Sequence, residues 1–396
     1  MNNPIHLRPV NTDFHQPDFG STGFSNTGFS DKEIFGDVLA GDVAIRNYLE
    51  PIKKFLAESG ATELFINRPC EVMMEVKGET IVMEVPALDF AALESLGQAV
   101  AVYAQQPKFG PENPILSATL PDGERIQIVV PPAVEPGAIS VTIRIPGSSI
   151  LSLDDYVERG AFSEYVWPHR KDATDHLDEL LPDDRILVQH LLNRDLKAFI
   201  MKAVEFKKNS AVVGDTGSGK TTLMKAICQH IPLDERLVTI EDVRELTLPH
   251  RNIVHLLYSK GGHSVAKVTS SELIGSCMRM TPSRVLPAEL RGSEAWDFLK
   301  LLTTGHAGAW TSLHAESCTL AFERFMFMAK ENDQAGSLSR DELKQLVRLT
   351  LDIVVHITAH RVYGEDGRVK AVKRYVDEVY FDPWTKNIAR FGDKKI

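Results

Sequence analysis

Cysteine is scarce in this chain: four in 396 residues, at positions 70, 228, 277 and 318, with no two close in sequence. A disulfide-stapled scaffold or a zinc knuckle is therefore not its organising feature, and a reducing compartment is the default expectation. No uninterrupted apolar run reaches the roughly 18 residues that a membrane-spanning helix needs. No secretory signal is recognised at the N-terminus. Peripheral attachment to a membrane complex stays open. Positive charge is in deficit, since 44 Lys and Arg against 54 Asp and Glu give a formal net charge of −10. That weighs against a surface built wholly to grip nucleic acid, although a local basic channel in a ring remains compatible with it.

What is present supports ordinary globular cores: 43% of the residues are hydrophobic and 25% charged. The length fits two domains, or three. Residues 1–30 are rich in Asn, Ser, Thr, Gly and Pro and read as a disordered polar tail. Phe14, Phe19, Phe24 and Phe29 recur there at an interval that fits neither helix nor strand. Residues 31–150 read as a smaller α+β domain. Its helices are expected over Ile45 to Leu56 and Ala91 to Tyr103, and its strands over Glu63 to Phe65, Val72 to Val76 and Thr80 to Val85. A hairpin is expected around Pro121-Asp122-Gly123-Glu124, followed by a strand over Ser140 to Ile145. Residues 151–187, acidic in their second half, read as a linker or docking segment.

The remainder, residues 188–396, alternates apolar strands with helices, as a sheet covered on both faces requires. Strands are expected at Ser210 to Val213, Leu237 to Ile240, Arg284 to Leu286, Trp310 to Leu313 and Ile353 to Ile357. A late hairpin is expected around Asp366-Gly367.

The densest signal is Gly214-Asp215-Thr216-Gly217-Ser218-Gly219-Lys220-Thr221-Thr222. It follows the apolar run Ala211 to Val213 and opens a helical segment, Thr222 to His230. A glycine-rich turn between strand and helix presents successive backbone N–H groups to phosphates, and the helix N-terminus adds its dipole. Lys220 is placed to neutralise the β- and γ-phosphates, and the Thr221 hydroxyl to ligate Mg²⁺. The ligands expected are a nucleoside triphosphate and Mg²⁺.

Hydrolysis needs a carboxylate near the γ-phosphate. Glu241, after Val238-Thr239-Ile240, and Glu289, after Arg284 to Ala288, both follow strands. In an open parallel sheet, strand C-termini converge on the ligand crevice. Glu241 is the expected residue to orient or deprotonate water, and Glu289 the metal-side carboxylate, acting directly or through a Mg²⁺-bound water. The two roles are exchangeable. The alternatives are a helix cap or a surface carboxylate.

In Gly305-His306-Ala307-Gly308-Ala309-Trp310-Thr311-Ser312-Leu313-His314, a turn leads into a strand with His314 near its end. His314 is placed there to hydrogen-bond the γ-phosphate or to report its presence, with an ordinary core or surface histidine as the alternative. Charge developing on the γ-phosphate also favours an arginine. Arg125 and Arg144 in the first domain are candidates, as are Arg279 and Arg291 in the second.

Together these residues resemble the secretion-ATPase superfamily, above all the traffic ATPases of bacterial type IV secretion systems, which are related to pilus-retraction and type II secretion ATPases. The resemblance covers roughly residues 45–380. Four ordered signatures carry it: Gly214 to Thr222, Thr239-Ile240-Glu241-Asp242, Pro282 to Gly292, and Thr304-Gly305-His306 through Thr311-Ser312-Leu313-His314-Ala315. Glu63 to Pro69, Leu120 to Arg125 and Ser140 to Pro146 resemble that family's amino-terminal domain. The chain departs from the usual pattern at Pro282-Ser283 and Ala288-Glu289, where the family has Pro-Asp and Gly-Glu.

The resemblance implies an α/β fold, with a RecA-like P-loop NTPase domain preceded by the smaller α+β domain, and it implies that the nucleotide is ATP. It implies that Glu241 is the aspartate-box glutamate and Glu289 the Walker B carboxylate, that His306 and His314 are the paired histidines, and that Arg125 and Arg144 reach nucleotide phosphates. It further implies a homohexameric ring on the cytoplasmic face of the inner membrane, among other secretion ATPases and membrane-embedded components, powering translocation or pilus assembly. A ring-shaped nucleic-acid translocase and a non-hydrolysing, ATP-dependent assembly scaffold are the competing readings.

Overall fold

An antiparallel sheet comes first along the chain, and a mostly parallel one follows. The structure, a computed structural model, describes residues 42–58, 60–76, 79–106, 109–145, 151–171, 173, 176–258, 268–364 and 369–392. The polar tail with its four phenylalanines and the Asp366-Gly367 turn lie outside the described residues.

In the first domain, α1 (Asp42–Glu58) turns Ile45, Leu49 and Ile52 inward, at the spacing of one helical face. The strands β1 (Ala61–Arg68), β2 (Glu71–Val76) and β3 (Glu79–Glu84) follow. Next comes α2 (Phe90–Tyr103), whose N-cap Asp89 accepts the Ala92 N–H at 2.8 Å. The strands β4 (Ile115–Thr119), β5 (Arg125–Val129) and β6 (Ser140–Arg144) complete a sheet of order β3-β2-β1-β6-β5-β4. Every second residue faces the helices: Leu64 and Ile66, Val72 and Met74, Ile126 and Ile128, Val141 and Ile143 are all buried. Arg46 on α1 grips Asp122 in the β4–β5 turn through two hydrogen bonds of 2.6 and 2.7 Å. That fixes the turn immediately before Arg125.

Residues 151–187, read as a linker or docking segment, are described at 151–171, 173 and 176–187. They hold α3 (Leu153–Glu158), capped by Ser152 and Asp155 reciprocally, and the start of α4 (Pro182–Leu192). Leu153, Tyr156, Phe162, Tyr165 and Trp167 are buried in the same core as β7 and the helix after it.

The second domain continues with α5 (Leu196–Glu205), β7 (Ser210–Val213), α6 (Lys220–Cys228), β8 (Leu237–Glu241) and β9 (Ile253–Leu257). Then come α7 (Ser270–Cys277), β10 (Arg284–Pro287), α8 (Glu294–Thr303), β11 (Trp310–Leu313), α9 (Cys318–Lys330) and α10 (Arg340–Thr350). Two long strands, β12 (Ile353–Tyr363) and β13 (Val369–Phe381), precede α11 (Pro383–Phe391). The parallel orders are β10-β8-β9 and β11-β7-β12, and β13 adds antiparallel to β12. The two sets meet where Leu290 N–H donates to Ser312 O at 2.8 Å and Ser312 Oγ to Ala288 O at 2.7 Å. Every residue of β7, β8, β10 and β11 is buried, as strands covered on both faces must be. The C-terminal ends of β7, β8, β10 and β11 thereby border one crevice. Among the described residues, no helix is long and apolar enough to cross a membrane.

Candidate nucleotide site

β7 delivers the chain to Gly214, where φ is +154° and a Cβ would stand 2.2 Å from the Ile357 carbonyl oxygen. Only glycine fits that approach. The loop ends at Gly219, which caps α6 in the left-handed conformation (φ +99°) with no side chain bonding the first helical N–H groups. An uncapped helix start leaves those donors for an anion. Ser218 Oγ is buried inside the loop without a hydrogen-bond partner. Asp215, Thr216 and Gly217 are exposed, whereas Thr221 and Thr222 lie half-buried in the first helical turn.

Lys220 is buried and folds back on its own loop. Its Nζ donates to Gly214 O at 2.9 Å and Asp215 O at 2.8 Å and stands 3.2 Å from His314 Nδ1. Burial lowers its pKa, with Glu289 and Asp215 opposing the shift. An ammonium bonded only to carbonyls and an imidazole is a cation short of an anion.

Glu289 follows β10 and His314 follows β11, so adjoining strand ends bring them together. Glu289 Oε1 lies 3.0 Å from His314 Nε2, a close contact rather than an aligned hydrogen bond. Glu289 Oε2 accepts from Arg291 at 2.5 Å, and Arg291 also donates to Asp242 Oδ2 at 2.8 Å. Burial alone would lower the Arg291 pKa, but the two carboxylates raise it well above the ordinary guanidinium value.

The chain of charges continues into the first domain. Arg125 on β5 pairs with Glu245 and lies 3.6 Å from Asp242 Oδ1. Arg125 is also the cross-strand neighbour of Arg144. Two cations opposite one another on a sheet repel unless each has its anion. Arg144 has Glu63 of its own domain, at 2.8 and 3.0 Å, and Arg125 has the carboxylates of the second domain. Of the two candidate arginines in the first domain, the structure brings Arg125 to the crevice and leaves Arg144 tied within its sheet.

Glu241 sits differently from its sequence expectation. Its side chain has no exposed surface. Oε1 accepts from Thr239 Oγ1 at 2.9 Å and lies 3.5 Å from His255 Nδ1. Oε2 accepts the N–H groups of Glu245 and Leu246 at 2.7 and 2.9 Å. Burial pushes its pKa up, but the hydrogen bonds from His255, the two amides and Thr239 outweigh that and hold it below the ordinary value. Neither oxygen is offered to a water in this conformation.

His306 is also apart. It bonds Thr304 Oγ1 at 3.2 Å and precedes β11, whereas His314 follows it. The strand separates the paired histidines, and His306 lies at the sheet end away from the phosphate loop. Two side chains that touch the candidate site carried no sequence signal. Glu245 holds Arg125, and Arg374 on β13 donates Nε to the Gly217 carbonyl at 3.0 Å. Both depend on contacts between residues distant in the chain.

The loop fits a phosphate chain: a cradle that a Cβ would fill at Gly214, an orphaned Ser218 hydroxyl, an uncapped helix start and a buried ammonium. The donor set also fits Mg²⁺, which keeps waters and takes one or two protein oxygens beside substrate phosphates. Thr221 would supply the hydroxyl and Glu289 the carboxylate.

Comparison with known proteins gives a consistent result. The family model described as "Type II/IV secretion system protein" matches residues 189–371. The type IV secretion system protein VirB11 of Brucella suis biovar 1 is 43% identical over 346 residues, 87% of this chain and 91% of that protein. VirB11 of Bartonella henselae is 41% identical over 339 residues, 85% of this chain and 92% of that protein. The structure of the pilus retraction motor PilT with bound ADP aligns over 87% of this chain and 85% of that one, at a TM-score of 0.53 and 14% identity, a likeness of fold.

Proposed function

Because the chain belongs to the VirB11 family of secretion ATPases, we propose that it is the ATP-hydrolysing motor of a bacterial type IV secretion system. It works as a hexameric ring, peripheral on the cytoplasmic face of the inner membrane, beside other secretion ATPases and membrane-embedded components. Nucleotide-driven motion of the α+β domain against the RecA-like domain powers substrate translocation or pilus assembly.

The convergence of Lys220, His314 and Glu289 at one phosphate loop carries this reading. Residues 214–222 cradle the phosphates, and Lys220 exchanges its loop carbonyls for β- and γ-phosphate oxygens. His314 reports the γ-phosphate through its contact with Lys220. Thr221 and, directly or through water, Glu289 would hold Mg²⁺, which would supply charge neutralisation at the phosphates. Of the two carboxylates, the geometry favours Glu289 as the one that orients water, because Glu241 is committed to its own loop. Arg125 completes the site from the first domain. Only ATP offers a γ-phosphate to Lys220, Glu289 and Arg125 together, so ATP and ADP bias the domain hinge differently.

Phosphate release by the assembled full chain with Mg²⁺-ATP tests this. Glu289→Gln is expected to keep ATP binding and to lose turnover by about 10²-fold or more, the usual weight of a positioned acid–base group. Lys220→Ala is expected to lose binding. A wild-type chain that binds ATP without releasing phosphate would leave the assembly-scaffold reading in its place.

A further inference from the structure

β12 pairs with β7 only from Ile353 to His356 and then runs on to Tyr363 with β13 alone beside it. This two-stranded ribbon passes the phosphate loop from base to apex. At the base, the Ile357 carbonyl meets Gly214. At the apex stands Arg374, opposite Ala359, whose small side chain does not crowd it. Arg374 Cδ lies 3.3 Å from where a Cβ would project from Gly219, and its Nε donates to Gly217 O at 3.0 Å. The side chain therefore lies along the loop at two of its left-handed glycines, at φ +78° and +99°.

We infer that Arg374 is a positioning residue for the nucleotide phosphates: it holds the Gly217 carbonyl outward so that the loop's N–H groups stay turned in. This rests on the reading of residues 214–222 as the nucleotide site and adds a residue to it. Glycines are the least restrained positions of any loop, and each ordered one costs backbone entropy. A loop with three positive-φ glycines needs an external hold if it is to be preorganised before phosphate arrives. Lys220 bonds the carbonyls of Gly214 and Asp215 but must leave them to meet phosphate. Arg374 acts from outside the loop and has no such conflict. Its positive charge also adds to the potential that draws the phosphates in.

The β-phosphate is common to ADP and ATP, so a loop-positioning role weakens both alike. The experiment measures affinities of the full chain for ADP and for a non-hydrolysable ATP analogue with Mg²⁺, together with kcat, KM and the nucleotide-free thermal midpoint. Arg374→Ala is expected to weaken both ligands about tenfold, the weight of one charge-assisted hydrogen bond, with KM rising in step and kcat within about twofold. Arg374→Lys keeps the charge without the Nε–H and is expected to recover part of the loss. If the alanine variant has a lowered nucleotide-free midpoint, the lysine variant carries the test through the same pair of affinities. Unchanged affinity for both ligands overturns the inference. So does a loss confined to the ATP analogue, which would mean a direct γ-phosphate contact. Wild-type chain that binds neither ligand would instead remove the nucleotide-site reading.

Discussion

Lys220 Nζ stands 3.2 Å from His314 Nδ1, although 94 positions separate the two residues in the chain. An ammonium has donors only, so Nδ1 carries the lone pair and the imidazole hydrogen sits on Nε2, facing Glu289. The loop's lysine thus rests on a neutral histidine that also touches the carboxylate. On the proposed reading, a γ-phosphate that draws Lys220 away would change what His314 touches and so report the nucleotide state at a strand end.

The His314 pKa follows from this contact. Burial lowers it, and Lys220's charge lowers it further, against the opposing pull of Glu289. In the folded chain, His314 is therefore expected to titrate below the ordinary value of about 6.5. The unfolded chain binds the proton more readily, so this group costs stability as pH falls from the ordinary value through the lowered one. Histidine NMR on nucleotide-free protein reads the shift directly. Lys220→Ala should move the His314 titration upward, because it removes one of the lowering influences and leaves burial and Arg291. A titration at or above 6.5 in the wild type would mean that the two side chains do not share this contact in solution.

Arg125 is held before nucleotide arrives. Its pairing with Glu245 and its approach to Asp242 cross the domain boundary, so a phosphate that recruits Arg125 competes with both carboxylates. Glu245→Gln is expected to tighten binding of a non-hydrolysable ATP analogue roughly two- to fivefold, the scale of a partly exposed ion pair. The advantage should shrink as salt rises. Arg125→Ala should lose turnover in full chain that still binds ADP. Arg144→Ala should affect turnover less, because Glu63 already occupies that guanidinium. Equal analogue affinity in wild type and Glu245→Gln would show that Arg125 never leaves Glu245 on binding.

Much of this fold was legible because local pattern and tertiary environment agree. The buried strands read as apolar runs, the α1 face as a helical period, and the phosphate loop as an ordered string of glycines before Lys220. The edge strand β9 was missed, since Ile253 to Leu257 is only half-buried and carries His255 in its middle. Arg284 reads as the polar start of a strand. It is instead fully buried, with Glu235 at 2.8 Å and the Val204 carbonyl as partners, which no local pattern encodes. Within the candidate site, the nearness of Glu289 and His314 to the phosphate loop was legible from their places after strands. The difference between Glu241 and Glu289 was not, because Glu241 is the last paired residue of β8 and is held by the amides of Glu245 and Leu246, whereas Glu289 lies two residues beyond β10. Arg374 and Glu245 were illegible for a related reason. A residue that acts by touching another element has no signature at its own position.

Glu241 gives the sharpest stability prediction. Its two oxygens collect the Thr239 hydroxyl and the amides of Glu245 and Leu246, so it shapes the loop that presents Asp242 and Glu245 to Arg125. Burial opposes its charge, yet the hydrogen bonds win and the pKa lies below the ordinary value. A carboxylate with a depressed folded pKa adds stability above its unfolded value, near 4.5, and that contribution disappears as pH falls through the folded value. Glu241→Gln keeps the shape but presents a neutral amide to those donors. It is expected to cost about 1–3 kcal/mol at pH 7, the weight of charge-assisted hydrogen bonds lost from a buried acceptor. The gap should narrow towards acid, where the wild-type carboxylate is itself being protonated. Urea denaturation of both proteins at pH 7 and near pH 4 measures this directly. If the gap is absent at pH 7, the carboxylate does not hold residues 245 and 246. Glu241 would then be free to swing into the crevice, and the water-orienting role would return to it.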